Sequence, residues 1–225
     1  MNKLIILLIS QLSISTFAKD LMSPSRLDKL SGESTLPFDN KTKWDKRYNK
    51  RTFVYGKAPA KFLAENFDYL KPESQILDMG MGEGRNAVFL AQKGHLVTGI
   101  DISSVAIKKA KRLGNERGVK FKTITGSLKK YKIPLNSYDA IICFYYVDRS
   151  LNKKIMGWLK PGGILIYEAH TIKELQAKNS EDEKESYYLK EQELLTMFSN
   201  AKILKYEEPL HEREFRSSII VQKAF

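Results

Sequence analysis

The sequence has a single cysteine, Cys143, so no disulfide can close within the chain and no all-thiolate zinc site can form. Glycine and proline are scarce, 13 and 7 in 225 residues, beside 42% hydrophobic and 28% charged residues. That balance excludes collagen-like, low-complexity and largely disordered chains. Acidic residues are outnumbered, 26 against 38 Lys and Arg, for a net charge of +12. Such a charge could serve nucleic acid or an anionic membrane. However, 29 of the 38 basic residues are Lys scattered along helical faces, which reads as a solvated surface, and the arginine and aromatic mixture that reads bases is thin. The three histidines show no metal-ligand spacing, and no metal is expected.

What is present fits one core and a short appendage. Residues 1–18 carry Lys3, an apolar run from Leu4 to Ile9 and a small residue, Ala18, before Lys19, which is the layout of a secretory signal peptide. The run is too short to span a bilayer, and a cytoplasmic protein starting at Met22 is the alternative. Residues 19–40 read as a linker, and the patterned domain covers 41–225. There strands and helices alternate. Strands are expected at Gln75–Gly80, His95–Asp101, Lys120–Thr125, Ala140–Phe144 and Ile164–Glu168. Helices are expected from about Gly84, after a cap at Ser103 or Ser104, and near Leu151–Leu159. This rhythm predicts an α/β fold, a mostly parallel sheet with helices on both faces. Late strands at Ala201–Tyr206 and Phe215–Gln222, joined by a loop, predict an antiparallel hairpin at the sheet edge. Between them and the parallel part, the polar stretch Ile172–Ser186 has the composition and position of a lid.

The sharpest signal is Asp78-Met79-Gly80-Met81-Gly82-Glu83-Gly84, where a strand turns into a helix. Glycines there allow a tight turn and let a ligand lie against main-chain N–H groups. A dinucleotide loop needs its third glycine five residues after Gly80, but Arg85 stands there and Gly84 comes one early. Asp101 ends the next strand, 21 residues after Gly80, near the offset at which a carboxylate takes ribose hydroxyls. Three near-alternate glycines, no phosphate-binding Lys and a ribose acid suit a nucleoside that carries an amino acid. S-adenosylmethionine is such a molecule.

The segment ILDMGMGEGRNAVFLAQKGHLVTGIDIS resembles the first cofactor motif of class I S-adenosylmethionine-dependent methyltransferases. The branch it is most similar to is that of tellurite-resistance and thiopurine-type enzymes. Supporting pieces are Trp44-Asp45-Lys46-Arg47-Tyr48, Phe144-Tyr145-Tyr146-Val147-Asp148-Arg149 and Leu159-Lys160-Pro161-Gly162-Gly163. The resemblance implies a Rossmann-like seven-stranded sheet and S-adenosylmethionine as cofactor. It implies that Asp78, Gly80 and Gly82 hold the methionine end, Asp101 the ribose and Ile102 one face of the adenine. Ser127, with Leu128 beside it, stands where many relatives have an acid for the adenine amino group. Trp44 and Arg47 are similar to residues that cover the cofactor and contact its carboxylate; a Trp packed on the sheet edge and a surface Arg are the alternative.

A sulfonium methyl is already activated, so the protein mainly aligns the acceptor and excludes water. The crevice beyond the carboxyl ends of the strands places Tyr145, Tyr146, Asp148, Arg149, Glu168 and His170 beside it. Tyr146 and His170 are the catalytic candidates. Asp148 and Arg149 could instead cap or salt-bridge the following helix, and Tyr145 could be a core aromatic. His95 reads as structural, and His211, Arg213 and Arg216 as a basic hairpin that could attract an anion. The expected function is methyl transfer to a small-molecule nucleophile. The rivals are a nucleic-acid methyltransferase and a non-catalytic binding protein that keeps the fold.

Overall fold

Branched and apolar residues build the sheet, and their alternation decides which core each side chain enters. In the computed structural model, which describes residues 38–178, 184–209 and 215–225, the strands are β1 (Gln75–Met79), β2 (Leu96–Asp101), β3 (Lys122–Thr125) and β4 (Tyr138–Phe144). They continue as β5 (Leu159–His170), β6 (Lys202–Glu207) and β7 (Arg216–Gln222). The order across the sheet is β3-β2-β1-β4-β5-β7-β6. The first five strands are parallel, and β7 runs antiparallel to both β5 and β6. This is the Rossmann-like seven-stranded sheet with a C-terminal hairpin expected from the sequence.

The helices are α1 (Phe38–Tyr48), α2 (Lys61–Asn66), α3 (Arg85–Gln92), α4 (Ser104–Glu116), α5 (Asn152–Trp158), α6 (Ile172–Lys178) and α7 (Glu193–Met197). Along β4, Ala140, Ile142 and Phe144 enter one core with Ile76, Leu90 and Ile107. Ile141 and Cys143 enter the other with Leu77, Ile155, Trp158 and Leu194. The central strands are therefore apolar on both faces, as a parallel sheet covered on two sides requires. Of the two candidate caps, Ser103 starts α4, its Oγ accepting the Ala106 N–H at 3.1 Å. His95 is buried, which pushes its imidazole below the usual range.

Several boundaries differ from the sequence reading. β5 is twelve residues long and absorbs the Lys160-Pro161-Gly162-Gly163 run, because Leu159 pairs with Tyr138 across a shift of register. Gly163 is tightly enclosed there; a Cβ on it would lie 2.8 Å from the Lys160 carbonyl. β4 gains Tyr138 and Asp139 from the same pairing. The stretch read as an irregular lid opens with α6, which buries none of its side chains. Both ends of the stretch are stitched down: Leu189 N–H donates to the His170 carbonyl at 2.9 Å and Ile172 N–H to the Leu189 carbonyl at 2.8 Å. Residues 1–37, 179–183 and 210–214, the last with His211 and Arg213, lie outside the described residues. Among those described, no helix is long and apolar enough to cross a membrane.

Candidate functional site

The glycine turn between β1 and α3 is built by backbone geometry that side chains resist. Gly80, Gly82 and Gly84 have φ of 65°, 53° and 82°, all in the left-handed region. Contact adds to the requirement at Gly82, where a Cβ would come 2.9 Å from the Tyr48 hydroxyl. Asp101, at the end of β2, fastens the turn. Its Oδ2 accepts the Gly82 N–H and its Oδ1 the Ser103 N–H, each at 2.8 Å. Burial raises this carboxyl above the usual carboxylate range, the two N–H donors oppose the rise, and Asp45 adds to it. Each oxygen keeps a lone pair that a sugar hydroxyl can use.

Asp78 lies beneath the same turn. It is buried, and its Oδ2 has no hydrogen-bond partner. Burial first, and Asp101 second, push its carboxyl up to about 7; the Arg85 guanidinium and the Ala87 N–H pull the other way. Ile102 is half-buried where β2 leaves the sheet. Ser127 is also half-buried, in a turn whose Lys130 and Tyr131 N–H groups donate to its carbonyl at 3.0 and 2.9 Å. Leu128 is buried in the core with Ile100 and Val147.

An aromatic wall stands on one side of the turn. Trp44 stacks on Tyr48 with ring centroids 5.7 Å apart, and Tyr48 is buried against Gly82. Arg47 is exposed; its Nε donates to the Tyr55 hydroxyl at 2.6 Å, and its guanidinium lies over the Trp44 and Tyr55 rings at 5.8 and 5.4 Å. The helix carrying the wall is docked by Asp45, whose Oδ1 accepts from Ser103 Oγ at 2.6 Å. Below it, a strap of residues 49–60 is held by a buried ion pair absent from the sequence reading. Glu83, inside the glycine turn, meets Lys109 of α4 at 2.6 Å, with side-chain exposures of 3% and 9%. Glu83 also accepts the Val54 N–H at 2.7 Å, and Lys109 donates to the Thr52 carbonyl at 2.8 Å.

The other side is formed by the ends of β4 and β5. Tyr146 leans against Gly80, at 3.1 Å from where a Cβ would sit, and its hydroxyl reaches Asp148 Oδ2 at 3.4 Å. Burial, with Asp148 nearby, pushes this phenol far up, so it is a neutral donor. His170 is placed with Tyr145 rather than Tyr146, the ring centroids 4.8 Å apart. Tyr145 has a φ of 58°, a strained value for a tyrosine, and is held there by several contacts. Its N–H donates to the Glu168 carbonyl at 2.8 Å and its hydroxyl to Glu168 Oε1 at 2.7 Å. Arg216 donates to the Tyr145 hydroxyl at 3.0 Å, and Ser218 to Glu168 Oε2 at 2.8 Å. Burial, with Glu168 beside it, pushes the Tyr145 phenol up to about 12.

Asp148 and Arg149 take the capping and bridging roles. Asp148 accepts from Ser150 N and Oγ at 3.2 and 2.6 Å and pairs with Lys129 at 3.2 Å. Arg149 grips Glu193, through Nε and Nη2, and the Ser186 and Tyr188 carbonyls, anchoring the far end of the stretch after β5. Tyr48, Glu83, Arg85 and Lys109 escaped the sequence reading as site residues. A Lys at 109, on the helix face shared by Ala106, Ala110 and Leu113, was the available signal. No group of His, Cys, Asp or Glu among the described residues could hold a metal ion.

The sheet order and the turn define a class: this is the fold of the S-adenosylmethionine-dependent methyltransferases. Residues 76–163 match the family described as methyltransferase domain. Among relatives, a protein of Geobacillus sp. strain WCH70 named as a methyltransferase is 28% identical over 158 residues, 64% of this chain and 54% of its own length. The tRNA 5-carboxymethoxyuridine methyltransferase of Escherichia coli K12 is 31% identical over 109 residues, 44% of this chain and 42% of its own. The chain thus spans about half the length of these relatives. TehB of Haemophilus influenzae superposes with a TM-score of 0.59 at 18% identity, over 81% of this chain and 66% of TehB. A methyltransferase from Methanosarcina mazei superposes with a TM-score of 0.56 at 22% identity, over 70% and 96%.

The fold and the segment that matches the methyltransferase domain imply S-adenosylmethionine as the cofactor, and the residues present fit it. An unpartnered buried Asp78 oxygen, a turn of left-handed glycines and the Asp101 carboxylate match a ligand with a cationic amino-acid end and a sugar diol.

Proposed function

We propose that this chain transfers a methyl group from S-adenosylmethionine to a small-molecule nucleophile, a thiol, chalcogen oxyanion or similar group, by in-line displacement. The observation that carries the reading is the Asp101-fastened turn with Tyr146 against Gly80 and the Tyr145–His170 pair beside it. The tellurite-resistance and thiopurine-type branch is proposed with it, from the W-x-x-R-Y and Y-Y-x-D-R pieces.

When bound, the cofactor supplies a methyl group already activated by its sulfonium. Asp78, Gly80 and Gly82 would hold the methionine end, Asp101 the ribose and Ile102 the adenine face, with Trp44 and Tyr48 as cover. Tyr146 excludes water at Gly80 and offers a neutral hydroxyl. Tyr145, locked by Glu168 and Arg216, presents His170, and histidine is the side chain suited to exchanging a proton near neutrality.

The test is release of S-adenosylhomocysteine across small thiols, oxyanions and amines, with His170→Gln in parallel. Turnover of at least one class is expected, with kcat lowered about 100-fold in the variant for an acceptor that must lose a proton. The tRNA-methylating relative and the +12 charge favour nucleic acid as a second reading. Methyl incorporation into RNA that falls steeply with salt, without small-molecule turnover, would overturn the first. Binding of S-adenosylhomocysteine without turnover of either kind would leave a binding protein. Export is proposed from residues 1–18 alone: a natural N-terminus at Lys19 supports it, and one at Met1 or Met22 overturns it.

A further inference from the structure

Counted over the whole chain the cations are scattered, but residues 41–57 concentrate them. That segment holds seven Lys or Arg against one acid, Asp45, and so supplies half of the net charge of +12. Helix α1 sorts its side chains by face. Trp44, Asp45 and Tyr48 turn inward, where Tyr48 packs on Gly82 and Asp45 takes the Ser103 hydroxyl. Lys43, Lys46 and Arg47, spaced i, i+3, i+4, are exposed on the outer face, and exposed Lys50 and Arg51 follow where the helix ends.

The helix dipole accounts for two of these cations, Lys46 and Arg47 in the last turn. It gives no reason for the others, and Lys43 with Arg47 is a like-charge i, i+4 pair that local stability disfavours. Among the described residues Lys46, Lys50 and Arg51 form no ion pair. The nearby carboxylates are already engaged: Asp45 by Lys41 and Ser103, Glu83 by Lys109, and Glu116 by Lys57 and Arg112. Counter-charge for the outer face must come from another molecule.

Rings are interleaved with the charge. Tyr55 is 42% exposed, with the Arg47 guanidinium 5.4 Å over its ring, and the half-buried Phe53 ring gathers Lys57 and Arg112, each at 5.0 Å. The patch also reaches the glycine turn. The Tyr55 carbonyl accepts from Arg85 Nη1 at 3.0 Å, and the Arg85 guanidinium lies over the Tyr145 ring at 5.4 Å. The one aliphatic side chain of the segment, Val54, is half-buried, so there is no apolar face to sink into a bilayer.

We infer that the outer face of α1 and the strap form a docking surface for single-stranded nucleic acid, its phosphates along Lys46, Arg47, Lys50 and Arg51 and its bases stacking beside Tyr55. The inference goes beyond the proposed reaction, because the surface lies outside the glycine turn and serves whichever acceptor is methylated. Phosphates supply counter-charge at regular spacing, and a ring flanked by a guanidinium offers an unpaired base a face to stack on. A duplex keeps its bases stacked inside and cannot use the ring.

The test is fluorescence anisotropy on the full chain with a labelled single-stranded RNA of about 12 nucleotides, from ~50 to ~200 mM salt. Four phosphate contacts predict a slope of about −3 for log affinity against log salt. The triple variant Lys46→Gln, Lys50→Gln, Arg51→Gln should bind at least ~10-fold more weakly and flatten that slope by about 2. Its affinity for S-adenosylhomocysteine should stay within about threefold of wild type. A control, Lys153→Gln, Lys154→Gln, Lys202→Gln, removes equal charge from exposed positions on α5 and β6 and should change RNA affinity by less than ~3-fold. Tyr55→Leu should weaken the RNA ~5-fold or more and leave the slope unchanged, and a duplex of the same sequence should bind less tightly than the single strand. Equal loss in the two triple variants, or no RNA binding at ~50 mM salt, overturns the surface. Tighter binding to phosphatidylglycerol vesicles than to RNA, lost only in the first triple variant, assigns the patch to an anionic membrane and also overturns it.

Discussion

Asp101→Ala is expected to lose S-adenosylhomocysteine binding by at least ~100-fold and to lower the stability of the free protein by about 2–6 kcal/mol. The two effects have separate causes. The Asp101 carboxylate accepts the Gly82 and Ser103 N–H groups, both at 2.8 Å, and alanine leaves these buried donors without acceptors. Each stranded donor costs about 1–3 kcal/mol, which sets the stability range. The turn then loses the link that draws it toward β2, and the ligand loses its sugar contact. Asp101→Asn separates the terms. Its one remaining oxygen can hold one of the two N–H groups, so stability falls by less. A neutral amide grips a diol more weakly than a carboxylate, so affinity still falls by about tenfold or more. Urea denaturation and calorimetry on the two variants check both parts. Affinity for S-adenosylhomocysteine within about threefold of wild type in Asp101→Ala would remove the ribose assignment.

The architecture was legible because it follows from local pattern. Ile76, Leu77, Ile141, Ile142, Leu165 and Ile166 are adjacent pairs that enter opposite cores. Such unbroken apolar runs, separated by amphipathic helices, admit little besides a parallel sheet covered on both sides. The glycine turn was legible for the same reason, since three near-alternate glycines at a strand end have few uses. Legibility failed where pairing overrode punctuation. The strand was expected to start only at Ile164, after Pro161, Gly162 and Gly163, yet Leu159 pairs with the start of β4 and the strand runs through them. α6 was missed because none of its side chains is fully buried, and periodicity reports faces that pack.

The site was legible in its chemistry and not in its assembly. The glycines and Asp101 are marked by spacing along the chain, and the family resemblance adds Asp78. Tyr48, Arg85 and the Glu83–Lys109 pair act across 26 residues or more of sequence, or through a neighbour's ring, and no spacing rule reaches them. Tyr145 and Tyr146 illustrate the point. The sequence paired Tyr146 with His170 as the catalytic candidates, but the left-handed backbone at Tyr145 sends the Tyr145 ring toward His170 and leaves the Tyr146 ring against Gly80.

Lys109→Met is expected to destabilise the protein by about 3–5 kcal/mol, the cost of leaving a buried carboxylate without its counter-charge. Glu83 is 3% exposed, and after the change only the Val54 and Tyr55 N–H groups face it, at 2.7 and 3.4 Å. The double variant Glu83→Gln, Lys109→Met removes both charges and keeps an amide oxygen for Val54, so most of the lost stability should return. The strap is the second readout. Lys109 also holds the Thr52 carbonyl, and Glu83 the Val54 and Tyr55 N–H groups. Hydrogen exchange at Val54 and Tyr55 should therefore quicken in the single variant. Because Tyr55 receives Arg47 and Arg85, a loosened strap slackens the wall beside Gly82 and the guanidinium over Tyr145 together. S-adenosylhomocysteine affinity should then fall in Lys109→Met by more than lost stability alone explains at temperatures where the variant is folded. If the double variant is no more stable than the single one, or exchange at Val54 is unchanged, the buried pair is not what holds the strap to the glycine turn.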